Sequence, residues 1–115
     1  MSITRLEPGK RLSEAVVHGG LVYLAGHVSD RADASVLEQT RDCLAEIDRH
    51  LAMAGTDKSK LLTIQIWLAD MDTFGELNAA WDEWVDSANL PARATVEARL
   101  AAPAYKVEIA GIAAI

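Results

Sequence analysis

The sequence predicts an α+β fold: one β-sheet layered against two helices, with elements in the order β-β-β-α-β-α-β-β. Three observations lead there. Stretches near both ends alternate apolar and polar residues, the period-2 signature of half-buried strands. Two longer internal stretches repeat apolar residues at three- and four-residue spacing, which marks helices with one buried stripe. The 115 residues are enough for one ordinary domain with a real core and too few for two.

Ile3 to Leu6 reads as a short edge strand closed by the turn signal Pro8-Gly9. Leu12 to His18 follows as a second strand, and Gly19-Gly20 as the tight turn of a β-hairpin. Leu21 to Ala25 is almost wholly apolar, which predicts a strand covered on both faces, and Gly26 ends it. After a charged loop, Ser35 with Glu38 forms a capping-box pattern, each side chain satisfying a free backbone N–H at a helix start. Val36, Thr40, Cys43, Leu44, Ile47, Leu51 and Ala54 then trace one stripe over about five turns, and Gly55 stops it. Cys43 lies on that stripe and reads as a buried structural thiol.

Leu61 to Leu68 is the next strand. Asp72, or Thr73 with Glu76, supplies the cap of the second helix, whose inner face is Phe74, Leu77, Trp81, Trp84 and Val85. The tryptophans read as core residues or as a subunit contact. Asn89-Leu90-Pro91 breaks this helix, and two final alternating stretches follow, Pro91 to Leu100 and Tyr105 to Ile112. Their alternation turns Val96, Ala98, Leu100, Val107 and Ile109 inward and leaves Arg93, Thr95, Glu97, Arg99, Lys106 and Glu108 on the other face.

Composition narrows the function classes. Half the residues are hydrophobic and 24% are charged, as in a folded soluble protein. No apolar run approaches the length of a membrane span and the start lacks a signal-peptide pattern, which predicts a cytoplasmic location and no membrane partner. The lone Cys43 agrees with a reducing compartment. A net charge of −6, with eleven scattered basic residues, argues against a nucleic-acid partner. His18, His27 and His50 are isolated in sequence and Cys43 is alone, so no ligand spacing predicts a metal.

Arg93 draws attention first. It follows a proline between two small alanines, where a rigid strand could aim its planar cation at a carboxylate in a bidentate grip. Glu108, flanked by Val107 and Ile109, is a candidate acid/base whose proton affinity desolvation would raise. In a plain hairpin turning about residues 101 to 104, Glu108 would lie beside residues 96 to 98 and Arg93 some 10 to 16 Å further on. Either the two strands are not neighbours in that way, or the site is assembled by other means.

Leu90-Pro91-Ala92-Arg93, Val96-Glu97 and Lys106-Val107-Glu108-Ile109 resemble the C-terminal signature of the RidA family, also called YjgF/YER057c/UK114, and within it the short YoaB-like members. The likeness extends over nearly the whole chain. It implies a chorismate-mutase-like fold, a mixed sheet with two helices on one face, and a homotrimer whose sheets form a barrel with clefts between copies. It also implies hydrolysis of 2-imino or 2-enamino acids to 2-keto acids and ammonia, with no metal or organic cofactor. Arg93 would hold the substrate carboxylate, and Glu108 would activate a water with help from the backbone carbonyl of Thr95. Leu12 stands where the family's pocket tyrosine would be, Glu14 adds a negative charge nearby, and the Ser-Gly-Gln-like turn reads Ala25-Gly26-His27. His27, in place of a glutamine, is then a local acid or a turn residue in water. A small-molecule binder without catalysis, and the translation-inhibitor or endoribonuclease labels that such proteins often carry, are the rival readings.

Overall fold

A computed structural model describes all 115 residues. The chain begins with a meander of three strands, β1 (Thr4–Pro8), β2 (Ser13–His18) and β3 (Leu21–His27), each pair antiparallel. The β2–β3 turn is Gly19-Gly20, with φ of +61° and +78°. Two successive left-handed residues give the turn whose twist matches that of the flanking strands, and glycine adopts them without a Cβ clash.

The first helix, α1 (Val36–Met53), forms one half of the predicted capping box: Glu38 N–H donates to Ser35 Oγ at 3.1 Å, while the Glu38 carboxylate accepts from the Ser35 hydroxyl at 3.2 Å in place of the Ser35 N–H. Its buried side chains include Val36, Cys43, Leu44, Ile47 and Leu51, and also two polar residues the apolar stripe did not predict, Gln39 and His50. Gln39 is fully satisfied. Its amide donates to the carbonyls of Arg31 and Ala104, and its oxygen accepts from Lys106 N–H, all at 3.0 Å.

Strand β4 (Leu61–Leu68) leads through a single 3₁₀ turn, Met71–Thr73, into α2 (Phe74–Trp84). Here the cap differs from expectation. Asp70 accepts from Asp72 N–H at 2.9 Å at the start of the 3₁₀ turn, while Thr73 makes no side-chain cap bond. The helix enters through an existing turn, so fewer of its first N–H groups need a side chain. Strands β5 (Ala92–Glu97) and β6 (Val107–Ala114) complete a six-stranded mixed sheet of order β1-β2-β3-β6-β4-β5, with β4–β5 its parallel pair.

Both helices cover one face. Ile64, Ile66 and Leu68 of β4 and Val107, Ile109 and Ala113 of β6 meet the α1 stripe and Leu77 and Trp81 of α2 in a single core. Each large side chain fully buried there contributes about 1.5 to 3 kcal/mol of transfer free energy. The other face carries Tyr23, Val96 and Leu62 with 41%, 51% and 49% of their surface exposed. Cover on both faces of β3 is therefore not supplied by the chain's own helices.

The last strands decide one open alternative and correct one reading. β5 and β6 are not neighbours, because β4 lies between them. The phase of β5 is also reversed. Arg93 pairs with Ile64 and Thr95 with Ile66, both core residues, so Arg93, Thr95 and Glu97 face the helices while Ala94 and Val96 face outward. At the edge of the sheet the helix layer thins, and long polar side chains fit beside α2 without full burial.

Candidate active site

The structure distributes the candidate residues over three places. At one edge, Arg93 Nη2 donates to Asn78 Oδ1 at 2.9 Å, and the guanidinium carbon lies 5.1 Å from the Trp81 ring centroid and 5.8 Å from that of Phe74. A neutral amide and two ring faces orient the cation without neutralising it, and Arg93 has no carboxylate partner among the salt bridges of the chain. Thr95 follows on the same face, its buried Oγ1 lacking a hydrogen-bond partner.

In the middle of the sheet, Glu108 projects from the uncovered face opposite Trp67, half-buried. Its sequence neighbours Val107 and Ile109 point into the core on the other side, so strand alternation removes the apolar flanks that the sequence suggested. Gly26 matters here for what it lacks: a Cβ built on it would lie 2.9 Å from Glu108 Cδ and in collision with Oε2. The carboxylate therefore rests against bare backbone.

A bulge between Leu24 and His27, paired with Gly111 and Ile109, inserts one extra residue into β3. That extra residue shifts the alternation, so Gly26 faces Glu108 while His27 turns under α1. His27 is only 5% exposed, which overturns the reading of a turn residue in water. Its Nδ1–H donates to Ala25 O at 2.8 Å, leaving Nε2 as a bare acceptor 3.4 Å from Glu14 Oε2. Burial, reinforced by the nearby His50, holds His27 below the ordinary histidine range. The side chain is thus a neutral acceptor rather than a local acid. His50 lies 4.8 Å away, ring centre to ring centre, with its nitrogens 2.8 Å from Glu46 O and from Glu7 Oε1. Glu7 has φ of +47°, a strained left-handed conformation that carries its carboxylate to His50 and Arg49. Arg49, then His50, hold Glu7 down at about 2. Glu7, His27 and Arg49 line a cleft of about 570 Å³ with Glu14, Gly26 and Asp42, while His50 is fully buried. Leu12, 57% exposed, sits in the β1–β2 turn.

Cys43 Sγ donates to His27 O at 3.2 Å, and burial pushes its thiol up to about 12, so it is structural. The Glu7–His50 pair was missed, although His50 occupies a stripe position three residues after Ile47 on α1. Apolar periodicity hid it, because a stripe position is read as apolar unless a partner is known. Asn78 and the ring face of Trp81 carried no sequence signal.

The strand order sets the separations. Glu108 is level with Val96 through Trp67, two strands away, while Arg93 lies three residues further along and on the opposite face. Their Cα atoms are roughly 14 Å apart, and the β2 end that bears Leu12 and Glu14 is four strand spacings, about 20 Å, from β5. No concavity of the single chain includes Arg93.

The family model described as Endoribonuclease L-PSP matches residues 2–115. A RutC family protein of Haemophilus influenzae is 51% identical over 114 residues, with 98% of each chain covered. The chain belongs to the YjgF/RidA family. The RutC family protein YoaB of Escherichia coli is 43% identical over the full length of both chains. A crystal structure of a YjgF family member from Neisseria meningitidis superposes with a TM-score of 0.96 at 46% identity, covering 99% of this chain and 95% of that one. The YjgF/RidA match spans Arg93, Glu108 and the Ala25-Gly26-His27 turn alike, and the α+β fold with its mixed sheet is that of the family. No helix is long and apolar enough to cross a membrane.

Proposed function

We propose that the chain hydrolyses 2-imino and 2-enamino acids to 2-keto acids and ammonia, at a site completed between copies of a homotrimer. The observation that carries this reading is the Arg93 guanidinium, oriented by Asn78, Trp81 and Phe74 yet unpaired with any carboxylate of its own chain. A cation kept so is suited to a substrate carboxylate, with each charged hydrogen bond worth about 1.5 to 3 kcal/mol. Arg93 borders no cleft of the single chain, so a second copy supplies the facing wall.

In that site Glu108 takes a proton from water as the oxygen adds to the imine carbon, with the Thr95 carbonyl orienting the water. Glu108 returns the proton to nitrogen, and the carbinolamine collapses to a C=O bond with ammonia as leaving group. Leu12 and Glu14 would border the substrate side chain, with Gly26 allowing Glu108 its position. Although the family model carries a ribonuclease description, 17 acidic against 11 basic residues disfavour an RNA substrate.

The test couples an amino-acid oxidase, supplying imino acids from a panel of amino acids, to measurement of ammonia release. Arg93→Ala is expected to lose roughly a hundredfold or more in kcat/KM, the equivalent of two charged hydrogen bonds, with the trimer intact by light scattering. An Arg93→Ala protein as active as the native chain refutes the assignment.

A further inference from the structure

The two histidines under α1 take no part in imine hydrolysis. His27 Nε2 is buried without a hydrogen-bond partner, and Glu14 Oε2 lies 3.4 Å from it. One ligand atom from each of Glu14, His27 and His50 lies within 4.8 Å of the other two. We propose that these three side chains bind one divalent transition-metal ion of the zinc or cobalt class.

The geometry supports it in two ways. Two ligands about 2.1 Å from a tetrahedral ion stand about 3.4 Å apart, the separation already present between His27 and Glu14. Both histidines also direct Nδ1 at a backbone carbonyl, His27 at Ala25 O and His50 at Glu46 O, each at 2.8 Å. That bond fixes the ring and leaves Nε2 as the ligating atom, the usual arrangement of metal-bound histidine.

His50 Nε2 is engaged by Glu7 Oε1 at 2.8 Å, so the ion replaces the proton on Nε2 and that hydrogen bond is given up. The proton passes to solvent, while Glu7 keeps its two bonds to Arg49 at 2.9 and 3.0 Å. A movement of up to about 1.4 Å brings the third ligand in. Two imidazoles with one carboxylate favour zinc, cobalt or nickel over magnesium or calcium, which prefer oxygen alone. The 570 Å³ cleft gives entry from solvent.

This inference shares Glu14 with the deaminase reading, but its test reads metal binding and not turnover. The full-length chain is stripped with a chelator, desalted and titrated with cobalt(II) or zinc chloride. One equivalent per chain is expected, with a visible cobalt d–d band, no thiolate charge-transfer band, and a Tm rise of roughly 10 °C at a hundredfold excess over Kd. His27→Gln and Glu14→Gln should each weaken binding by about tenfold to a hundredfold. His18→Ala, removing an exposed histidine that contacts Ser2 O, and Arg93→Ala should leave it unchanged. The Glu14 side chain is 39% exposed, so Glu14→Gln is expected to keep the fold and decides if His27→Gln unfolds. Absence of both the band and the Tm shift overturns the proposal. So does binding that survives Glu14→Gln, that His18→Ala abolishes, or that shows a thiolate band from Cys43.

Discussion

At the scale of single residues, placement depends on what a side chain rests against more than on its own identity. Glu108 is held over Gly26 because that residue has no Cβ. Gly26→Ala is therefore expected to displace the carboxylate, the mobile end of a side chain, and not the backbone. We expect imine hydrolysis to fall at least tenfold while Tm changes by only a few degrees, read from the coupled assay and a thermal melt. Glu108→Gln keeps the shape and removes the base, with an expected loss of about a hundredfold or more. Arg93 was legible from its sequence setting, behind proline and between alanines. Its orientation by Asn78 and Trp81 was not, since these come from a helix that ends before the strand begins.

At the scale of elements, α1 was readable almost to the residue because capping and stripe are local. Ser35→Ala removes one cap bond and should cost about 1 kcal/mol, measured by denaturant unfolding. The polar members of its buried face behave differently. Gln39→Ala strands Lys106 N–H and the Ala104 carbonyl, while Arg31 O keeps its bond from Ala34 N–H, and should cost about 2 to 3 kcal/mol. Asp42, bonded by Arg31 and then Ser29, is held below its ordinary value. A carboxyl depressed in the folded state contributes stability above its unfolded pKa and loses it as pH falls through the folded one. Asp42→Asn should thus lower Tm near neutral pH and flatten the decline of Tm below about pH 4. β5 shows where local reading fails: its alternation was seen, but its apolar face, Ala92, Ala94 and Val96, is the one turned away from the helices.

At the scale of the whole molecule, the candidate site is not contained in one chain's surface. Arg93 and Glu108 lie on opposite faces of the sheet, with β4 between their strands, and the Leu12–Glu14 end is across the sheet. If copies complete the site, co-refolding the inactive Arg93→Ala and Glu108→Gln chains should recover activity that neither has alone, because some hybrid seams then join a native Arg93 to a native Glu108. An inactive hybrid would place both groups on the same copy. By itself the sequence determined the kind and order of the elements, the hairpin turn, the cap of α1 and the residue types able to grip a carboxylate, because these follow from periodicity and contacts within a few positions. Only the tertiary structure decided that β4 separates β5 from β6, that the β3 bulge turns His27 inward, and that Glu14 and His50 meet it while Glu7 meets His50. Strand order, bulge phase and the meeting of distant charges are set by packing between segments, and packing energy is not written in any one of them.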